Sequence, residues 1–169
     1  VVDTQHPTPN TPLAMPFKNF SIWRGKLPHW RADDVRYYVT FRHRRALTPV
    51  ESGLLFKELL KPEADKWDLL IVCVLPEATE LIFTVREDKT GRPYELAAIV
   101  ERAKAKAGKA IVKKTGEFYP PFFNESYDRI IRDEAELEER WQAIFDSPVD
   151  LELVEDPEEY APLWVSGHS

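Results

Sequence analysis

Four stretches of the chain show the apolar and polar patterns that are typical of β-strands. Their residues are mostly β-branched, aromatic or aliphatic, and they either alternate in polarity or form a continuous apolar run. These stretches are residues 35–41, Trp67–Val74, Glu80–Arg86 and Tyr127–Arg132. The second and third are separated by only the five residues of Leu75–Thr79, so we expect them to pair as a hairpin.

Three other stretches place apolar residues near the 3.6-residue period of an α-helix. They are Thr48–Leu60, Tyr94–Thr115 and the acidic segment Asp133–Phe145. Thr48, Pro49 and Glu51 make a good helix start, and Pro62 and Pro148 follow the first and third stretches. The order of strands and helices predicts an α+β fold in which helices pack on an antiparallel sheet.

Length and composition indicate one globular domain preceded by an arm. The chain has 169 residues, which is enough to bury a core without disulfides. Residues 1–16 are rich in proline and poor in apolar surface, so we interpret them as a flexible arm and residues 17–169 as the domain. Cys73 is the single cysteine, which excludes a disulfide framework and a cysteine-based zinc site. No apolar run approaches membrane-spanning length, and we expect a cytoplasmic protein without a cofactor.

Charge is distributed unevenly along the chain. The formal net charge is -6, which argues against a protein that coats nucleic acid unselectively. Residues 24–45 nevertheless carry seven Lys and Arg against two Asp, whereas residues 133–159 carry twelve Asp and Glu against one Arg. One basic surface and one acidic surface are therefore expected on the same molecule.

Four segments, in this order, resemble signature segments of one family. They are Arg24–Arg31, Tyr37–Arg42, Tyr127–Glu134 and Ser147–Tyr160. The family is that of the REP-associated tyrosine transposases, which belong to the single-tyrosine HUH transposases. The resemblance spans roughly Trp23 to Trp164 and implies their fold, a ferredoxin-like antiparallel sheet with helices packed on it.

The resemblance also implies where catalytic residues would stand. In the family, two histidines on a central strand bind a divalent metal that polarises the scissile phosphate, and a tyrosine on a late helix attacks it. The histidine positions fall here on Ala78 and Glu80, and the tyrosine position falls on Ala143. The chain is therefore expected to be an inactive, domesticated member of a bacterial family, with no catalytic residue.

Other arrangements for catalysis are weakly supported by the sequence. The histidines, His6, His29, His43 and His168, are not spaced as a metal-binding pair, so no metal site is expected from them. Glu80 with Glu77 leaves open a nuclease with an altered carboxylate metal site. Tyr127 is interpreted as a packing residue or a DNA contact.

The residues expected to bind nucleic acid are basic side chains close to aromatic rings. That combination suits single strands and hairpins, because phosphates pair with charge and bases stack on rings. They are Arg24, Lys26, His29, Arg31, Arg42, His43, Arg44, Arg45, Lys104, Lys106 and Lys109. Trp23 and Trp30 are either part of that surface or part of the core, and Arg129 and Arg132 are expected to pair with the acidic helix.

Two further candidate functions are therefore considered in addition to a nuclease with an altered metal site. The first is binding of DNA or RNA, as a hairpin or a single strand, with a DNA hairpin favoured. The second is a scaffold or subunit in which the acidic region 133–159 contacts another protein.

Overall fold

A five-stranded sheet with helices on both faces forms the fold. The computed structural model describes residues 20–26 and 35–167. Its strands are β1 (Arg36–Arg42), β2 (Trp67–Val74), β3 (Ala78–Val85), β4 (Tyr127–Ile131) and β5 (Leu163–Val165). Its α-helices are α1 (Phe20–Lys26), α2 (Pro49–Leu60), α3 (Leu96–Thr115) and α4 (Glu134–Asp150), and a single 3₁₀ turn spans Pro157–Glu159. The predicted arm, residues 1–16, lies outside the described residues and stays a prediction.

The strand order is β4-β1-β3-β2-β5, and every neighbouring pair is antiparallel. From β1 to β4 the chain runs strand, helix, strand, strand, helix, strand, which is the ferredoxin-like arrangement. The predicted α+β class and the expected pairing of β2 with β3 are confirmed.

Alternation along the strands divides the apolar residues between two cores. In β1, Val39 and Phe41 belong to the core that α2 and α3 cover, while Tyr38 belongs to the core under α1 and α4. Because a shift of one residue would exchange the two faces, these side chains fix the register of β1. No helix in the described part of the chain is long and apolar enough to cross a membrane.

Helix α2 begins as its sequence predicts. The Thr48 hydroxyl accepts a hydrogen bond from the Glu51 N–H at 3.2 Å, and the Glu51 carboxylate accepts one from the Thr48 N–H at 2.9 Å. This reciprocal cap satisfies two N–H groups that the first turn would otherwise leave unpaired.

Helix α4 extends past the predicted end at Phe145, and Pro148 lies inside it. A proline there cannot donate to the carbonyl of Ile144, which would normally leave that oxygen unpaired. The Ser147 hydroxyl donates to this oxygen at 2.7 Å. Burial of Pro148 and this substitute hydrogen bond explain why the helix continues to Asp150.

Two short elements were not predicted from the sequence pattern. Helix α1 has only seven residues, and it is held by Phe20 and Trp23, which pack against Trp141 of α4. Strand β5 has three residues and pairs with β2, with Val165 opposite Ile71. Both are too short for periodicity to reveal, and tertiary contacts stabilise them.

Candidate nucleic-acid interface

The positions that the resemblance assigns to a catalytic centre lie on one face of β3. Ala78 and Glu80 are two residues apart, so their side chains point to the same side of the sheet. Ile82 continues this row and packs in the core under α4. The row therefore faces α4, the helix that carries Ala143.

Helix α4 crosses the sheet with one row of side chains spaced three or four residues apart. Its contacts with the strands are Glu136 with Arg129 on β4, Arg140 with Tyr38 on β1, and Ser147 with Cys73 on β2. Ala143 stands between Arg140 and Ser147 in sequence, and β3 lies between β1 and β2. Ala143 itself is exposed, on the flank of α4 and outside the face that packs on the sheet. We refer to Ala78, Glu80 and Ala143, the three positions that the resemblance assigns to catalysis, as the replaced centre.

Glu80 is engaged by its neighbours. The Tyr38 hydroxyl donates to the Glu80 carboxylate at 2.8 Å. Burial, and then the Glu80 charge, raise the pKa of Tyr38 to about 12. The Arg140 guanidinium lies 4.6 Å from the centre of the Tyr38 ring. One oxygen of the Glu80 carboxylate therefore accepts a hydrogen bond from the Tyr38 phenol, and the Arg140 guanidinium lies over the ring of that phenol.

The thiol beside the replaced centre is not activated. Cys73 is fully buried opposite Glu80, and burial raises the pKa of its thiol to about 12. A thiol with so high a pKa stays protonated and is a poor nucleophile. Among the described residues, no group of three or more His, Cys, Asp or Glu side chains is arranged to hold a metal ion.

A cavity of about 310 Å³ adjoins the replaced centre at Ala78. It is lined by Leu75, Pro76, Glu77, Ala78, Leu151 and Leu153. Leu151 and Leu153 lie beyond the end of α4 and are exposed. The cavity has an apolar wall, and its one charged side chain, that of Glu77, is exposed.

The arginines at the end of β1, which are Arg42, Arg44 and Arg45, have different environments. Arg42 is exposed and opposite Ala78, and by alternation with Tyr38 its side chain lies on the α4 side, next to the replaced centre. Arg44 is exposed, with its guanidinium 5.6 Å from the Tyr119 ring centre and 5.7 Å from that of Phe123. Neither arginine forms an ion pair with a described residue.

Arg45 has its charge satisfied within the protein. Its guanidinium contacts Glu51 at 2.7 Å and Glu117 at 2.6 Å, with two hydrogen bonds to each carboxylate. These bonds raise the pKa of Arg45 above its usual value, and they lower the pKa of Glu117 to about 2. The side chain is a tie between α2 and the segment after α3.

His43, which the sequence places in the interface, is a core residue. Its Nδ1 lies 2.8 Å from the Pro76 carbonyl oxygen, and its Nε2 lies 2.9 Å from the Thr79 hydroxyl. A carbonyl can only accept, so Nδ1 carries the proton and Nε2 accepts from Thr79. Burial lowers the pKa of the ring, which agrees with this neutral form. His43 therefore has no free group with which to contact a phosphate.

The three lysines predicted on α3 do not share one environment. Lys104 is buried, with its ammonium 4.8 Å from the Phe41 ring centre and 3.4 Å from Glu101 and the Ser126 hydroxyl. Lys106 and Lys109 are exposed on the helix. Lys104 is withdrawn from the surface, and the other two are available to solvent.

The N-terminal part of the predicted interface is only partly visible. Arg24 pairs with Glu134 at 2.7 Å, and Trp23 is fully buried on Trp141. His29, Trp30, Arg31 and the Lys26 side chain lie outside the described residues. Arg129 forms the expected ion pair with Glu136, whereas Arg132 contributes only its backbone N–H to that carboxylate.

Sequence reasoning overlooked three exposed rings beside Arg44. No function was predicted for the segment Phe118–Phe123, which lies between α3 and β4. Phe118, Tyr119 and Phe123 in it are 96%, 69% and 43% exposed. Phe118 and Tyr119 line a groove of about 430 Å³ together with Arg44 and Arg45, and the Phe123 ring contacts Arg44. Adjacent arginines, Arg44 and Arg45, and the aromatic run Phe118–Phe123 were the sequence features that could have indicated this surface.

Comparison with solved structures identifies the fold. A REP-associated tyrosine transposase bound to a REP hairpin matches with a TM-score of 0.59 and 16% identity, over 79% of this chain and 80% of that one. The chain has a transposase-like fold. A putative transposase from Deinococcus radiodurans R1 matches with a TM-score of 0.46 and 9% identity, over 68% of this chain and 94% of that one. The sequence matches no protein-family model and no curated protein.

Proposed function

We propose that the chain binds structured or single-stranded nucleic acid, most readily a DNA hairpin, and does not cleave it. The observation that carries the proposal is the transposase-like fold with two exposed arginines, Arg42 and Arg44, at the end of the sheet where Ala78 lies. The similar transposase is bound to a REP hairpin. A fold of that type with its centre replaced, and with exposed arginines beside it, supports binding without catalysis.

Cleavage would need groups that the replaced centre does not offer. Ala78 supplies no metal ligand and Ala143 no nucleophile. Glu80 is a single carboxylate, and one of its oxygens accepts from Tyr38. A lone carboxylate oxygen is a poor site for a hard divalent cation, which prefers six or more oxygen ligands.

Binding is supported by the two arginines that have no carboxylate partner among the described residues. Arg42 lies opposite Ala78, and Arg44 follows two residues later, with its guanidinium over the Tyr119 ring. Free guanidinium groups suit phosphate, which accepts from two of their N–H groups at once. Both arginines lie at the end of the sheet where β1 ends and β3 begins, with Arg42 paired to Ala78.

A fluorescence-anisotropy titration with labelled DNA and RNA hairpins and linear single strands, at several salt concentrations, tests binding. We expect the Arg42→Ala/Arg44→Ala variant to bind more weakly and to lower the log–log salt slope by about 0.7–0.9 for each phosphate that it no longer neutralises. The matched control is Arg86→Ala, which removes an exposed arginine at the opposite end of the sheet, where it pairs with Asp68. Failure to bind any of these probes at low salt would refute the proposal.

A nicking assay with magnesium or manganese tests the absence of cleavage. We expect labelled single strands and hairpins to stay intact with the native chain. Metal-dependent cleavage that disappears in the Glu80→Gln variant would instead establish the nuclease with an altered carboxylate site.

A second candidate function, protein interaction, is favoured by Leu151 and Leu153. Both are exposed beside the cavity at Ala78, and acidic residues flank them in the region 133–159. A pull-down with the native chain and with the Leu151→Asp/Leu153→Asp variant tests it. A partner retained by both proteins would exclude these leucines from the contact.

A further inference from the structure

The connection between α3 and β4 exposes aromatic rings that the fold does not require. Phe118 is 96% exposed and Tyr119 is 69% exposed, and their ring centres are 6.5 Å apart. Phe123 is the third exposed ring, and it lies on the other side of Arg44. Three exposed rings within six residues form an apolar surface that stays in contact with water after the chain has folded.

The same segment is anchored by the residues between those rings. Phe122 is buried and contacts the rings of Phe41 and His43 edge-on. The carbonyl of Pro121 accepts a hydrogen bond from the Arg44 N–H at 2.7 Å. Pro120 and Pro121 also fix the backbone φ angles at their own positions. The exposed rings are therefore presented from a stiff support.

Gly108 of α3 makes room for this support. A Cβ atom at position 108 would lie 2.8 Å from the Cβ of Pro120, which is closer than van der Waals contact allows. At the other end, Arg45 ties Glu117 to Glu51 of α2. The connection is thus fastened at Glu117, Pro120 and Phe122, and the rings project between those points.

Arg44 completes a surface suited to flat, electron-rich ligands. Its guanidinium lies within 5.7 Å of the centres of the Tyr119 and Phe123 rings, and no described carboxylate neutralises it. Nucleobases stack on aromatic rings and on guanidinium planes, and such stacking tolerates any base. A paired base inside a duplex offers no free face, so the surface suits unpaired bases.

We propose that Arg44, Phe118, Tyr119 and Phe123 form a stacking platform for the unpaired bases that adjoin a hairpin stem, an assignment that rests on the proposed nucleic-acid binding. The rings of Phe118, Tyr119 and Phe123 carry no charge, so the platform adds stacking to the phosphate contact that Arg44 can make. Its contribution to affinity therefore persists at salt concentrations that screen the arginine–phosphate contacts.

Three labelled hairpins with the same stem test the platform by fluorescence anisotropy. One is blunt, one carries an unpaired tail of about four nucleotides, and one carries a tail of equal length built from abasic nucleotides. The abasic tail keeps the phosphate charge and removes the bases. We expect the native chain to bind the tailed hairpin about tenfold more tightly than either of the others. DNA and RNA versions of the set show which sugar is preferred.

Two variants of Tyr119 separate stacking from structure. Tyr119→Ala is expected to remove the preference for the base-bearing tail, measured as the ratio of the affinities for the base-bearing and abasic tails. Tyr119→Phe keeps the ring and is expected to keep the preference. Because the side chain is 69% exposed, both variants should unfold at the temperature of the native chain.

The outcomes distinguish this inference from the proposed function. Equal affinity for base-bearing and abasic tails, or a preference that survives Tyr119→Ala, would overturn the platform and leave hairpin binding intact. Absence of binding to every probe would overturn both. Loss of a protein partner in Tyr119→Ala without any preference for unpaired bases would assign the rings to protein recognition.

Discussion

The core under α4 and the connection between α3 and β4 use aromatic residues in opposite ways. Under α4, Trp141 stacks on Trp23 at 5.0 Å and on Phe145 at 4.9 Å between ring centres, and all three rings are buried. In the connection, Phe118 and Tyr119 are largely exposed to solvent. The first region stabilises the fold, and the second presents rings to whatever lies outside it.

This difference separates aromatic rings that build the core from aromatic rings that remain on the surface. At the replaced centre, the Glu80 carboxylate accepts a hydrogen bond from Tyr38, and the Arg140 guanidinium lies over the Tyr38 ring. In the connection, Glu117 and Phe122 contact other parts of the protein, whereas the rings of Phe118 and Tyr119 are exposed to solvent. Buried aromatic area accounts for packing, whereas a fixed and exposed aromatic surface is typical of an interaction site.

The largest expected effect compares one aromatic residue from each region. Trp141→Ala removes a fully buried ring, so we expect the free energy of unfolding to fall by about 3–5 kcal/mol. Tyr119→Ala is expected to change it by less than about 0.5 kcal/mol, because the side chain is exposed. Urea denaturation followed by far-ultraviolet circular dichroism measures both. Similar losses in the two variants would mean that the connection is also a packing element.

A second comparison uses two glycines in helices. Gly53→Ala in α2 adds a methyl group that meets no atom within 4 Å, so we expect stabilisation by about 0.5–1 kcal/mol. Gly108→Ala in α3 places the methyl group against Pro120, so we expect a loss of about 1–3 kcal/mol.

Displacing Pro120 should also move the exposed rings and weaken the preference for unpaired bases. The two glycine variants are compared by urea denaturation and by anisotropy with the tailed hairpin. If Gly108→Ala stabilises the protein as much as Gly53→Ala does, the connection is not held firmly against α3.

The smallest expected effect is a pH dependence at the base of the connection. Burial lowers the pKa of His43, so as pH falls below about 6.5 the unfolded chain binds a proton before the folded chain does. The free energy of unfolding should therefore decrease as pH falls through this range and on through the lower pKa of the folded state. Lys104 reinforces the lowered pKa, and Glu77 opposes it.

Urea denaturation between about pH 7.5 and pH 5 measures this change, and His43→Gln is the control because it does not titrate. We expect a shallower pH dependence in the variant. An identical dependence in both proteins would show that His43 is not held neutral.

Much of the fold follows from local patterns. The continuous apolar run of β2 and the cap formed by Thr48 and Glu51 each depend on residues close in sequence, so their elements could be predicted. The end of α4 could not, since Pro148 is normally a helix breaker and the compensating hydrogen bond from Ser147 is a detail of geometry. Strand β5 depends on pairing with β2, more than eighty residues earlier in the chain.

The candidate site divides in the same way. That Ala78, Glu80 and Ala143 stand where family members have catalytic residues stays a prediction from the resemblance. That Ala143 is exposed on the flank of α4 depends on how this helix packs on the sheet. The exposed rings of the connection were visible as sequence but not as a surface, because Phe122 in the same run is buried and Phe118 is not.

The sequence by itself determined the α+β class, the approximate strands and helices, and the identity of the residues at the replaced centre. The tertiary structure alone decided which basic residues have free charge. Arg44 and Arg45 are adjacent and chemically identical, yet only Arg45 meets Glu51, six residues away, and Glu117, seventy-two residues away. An ion pair depends on distance in space, and contacts across such separations arise only once the sheet has brought α2 and the α3–β4 connection together.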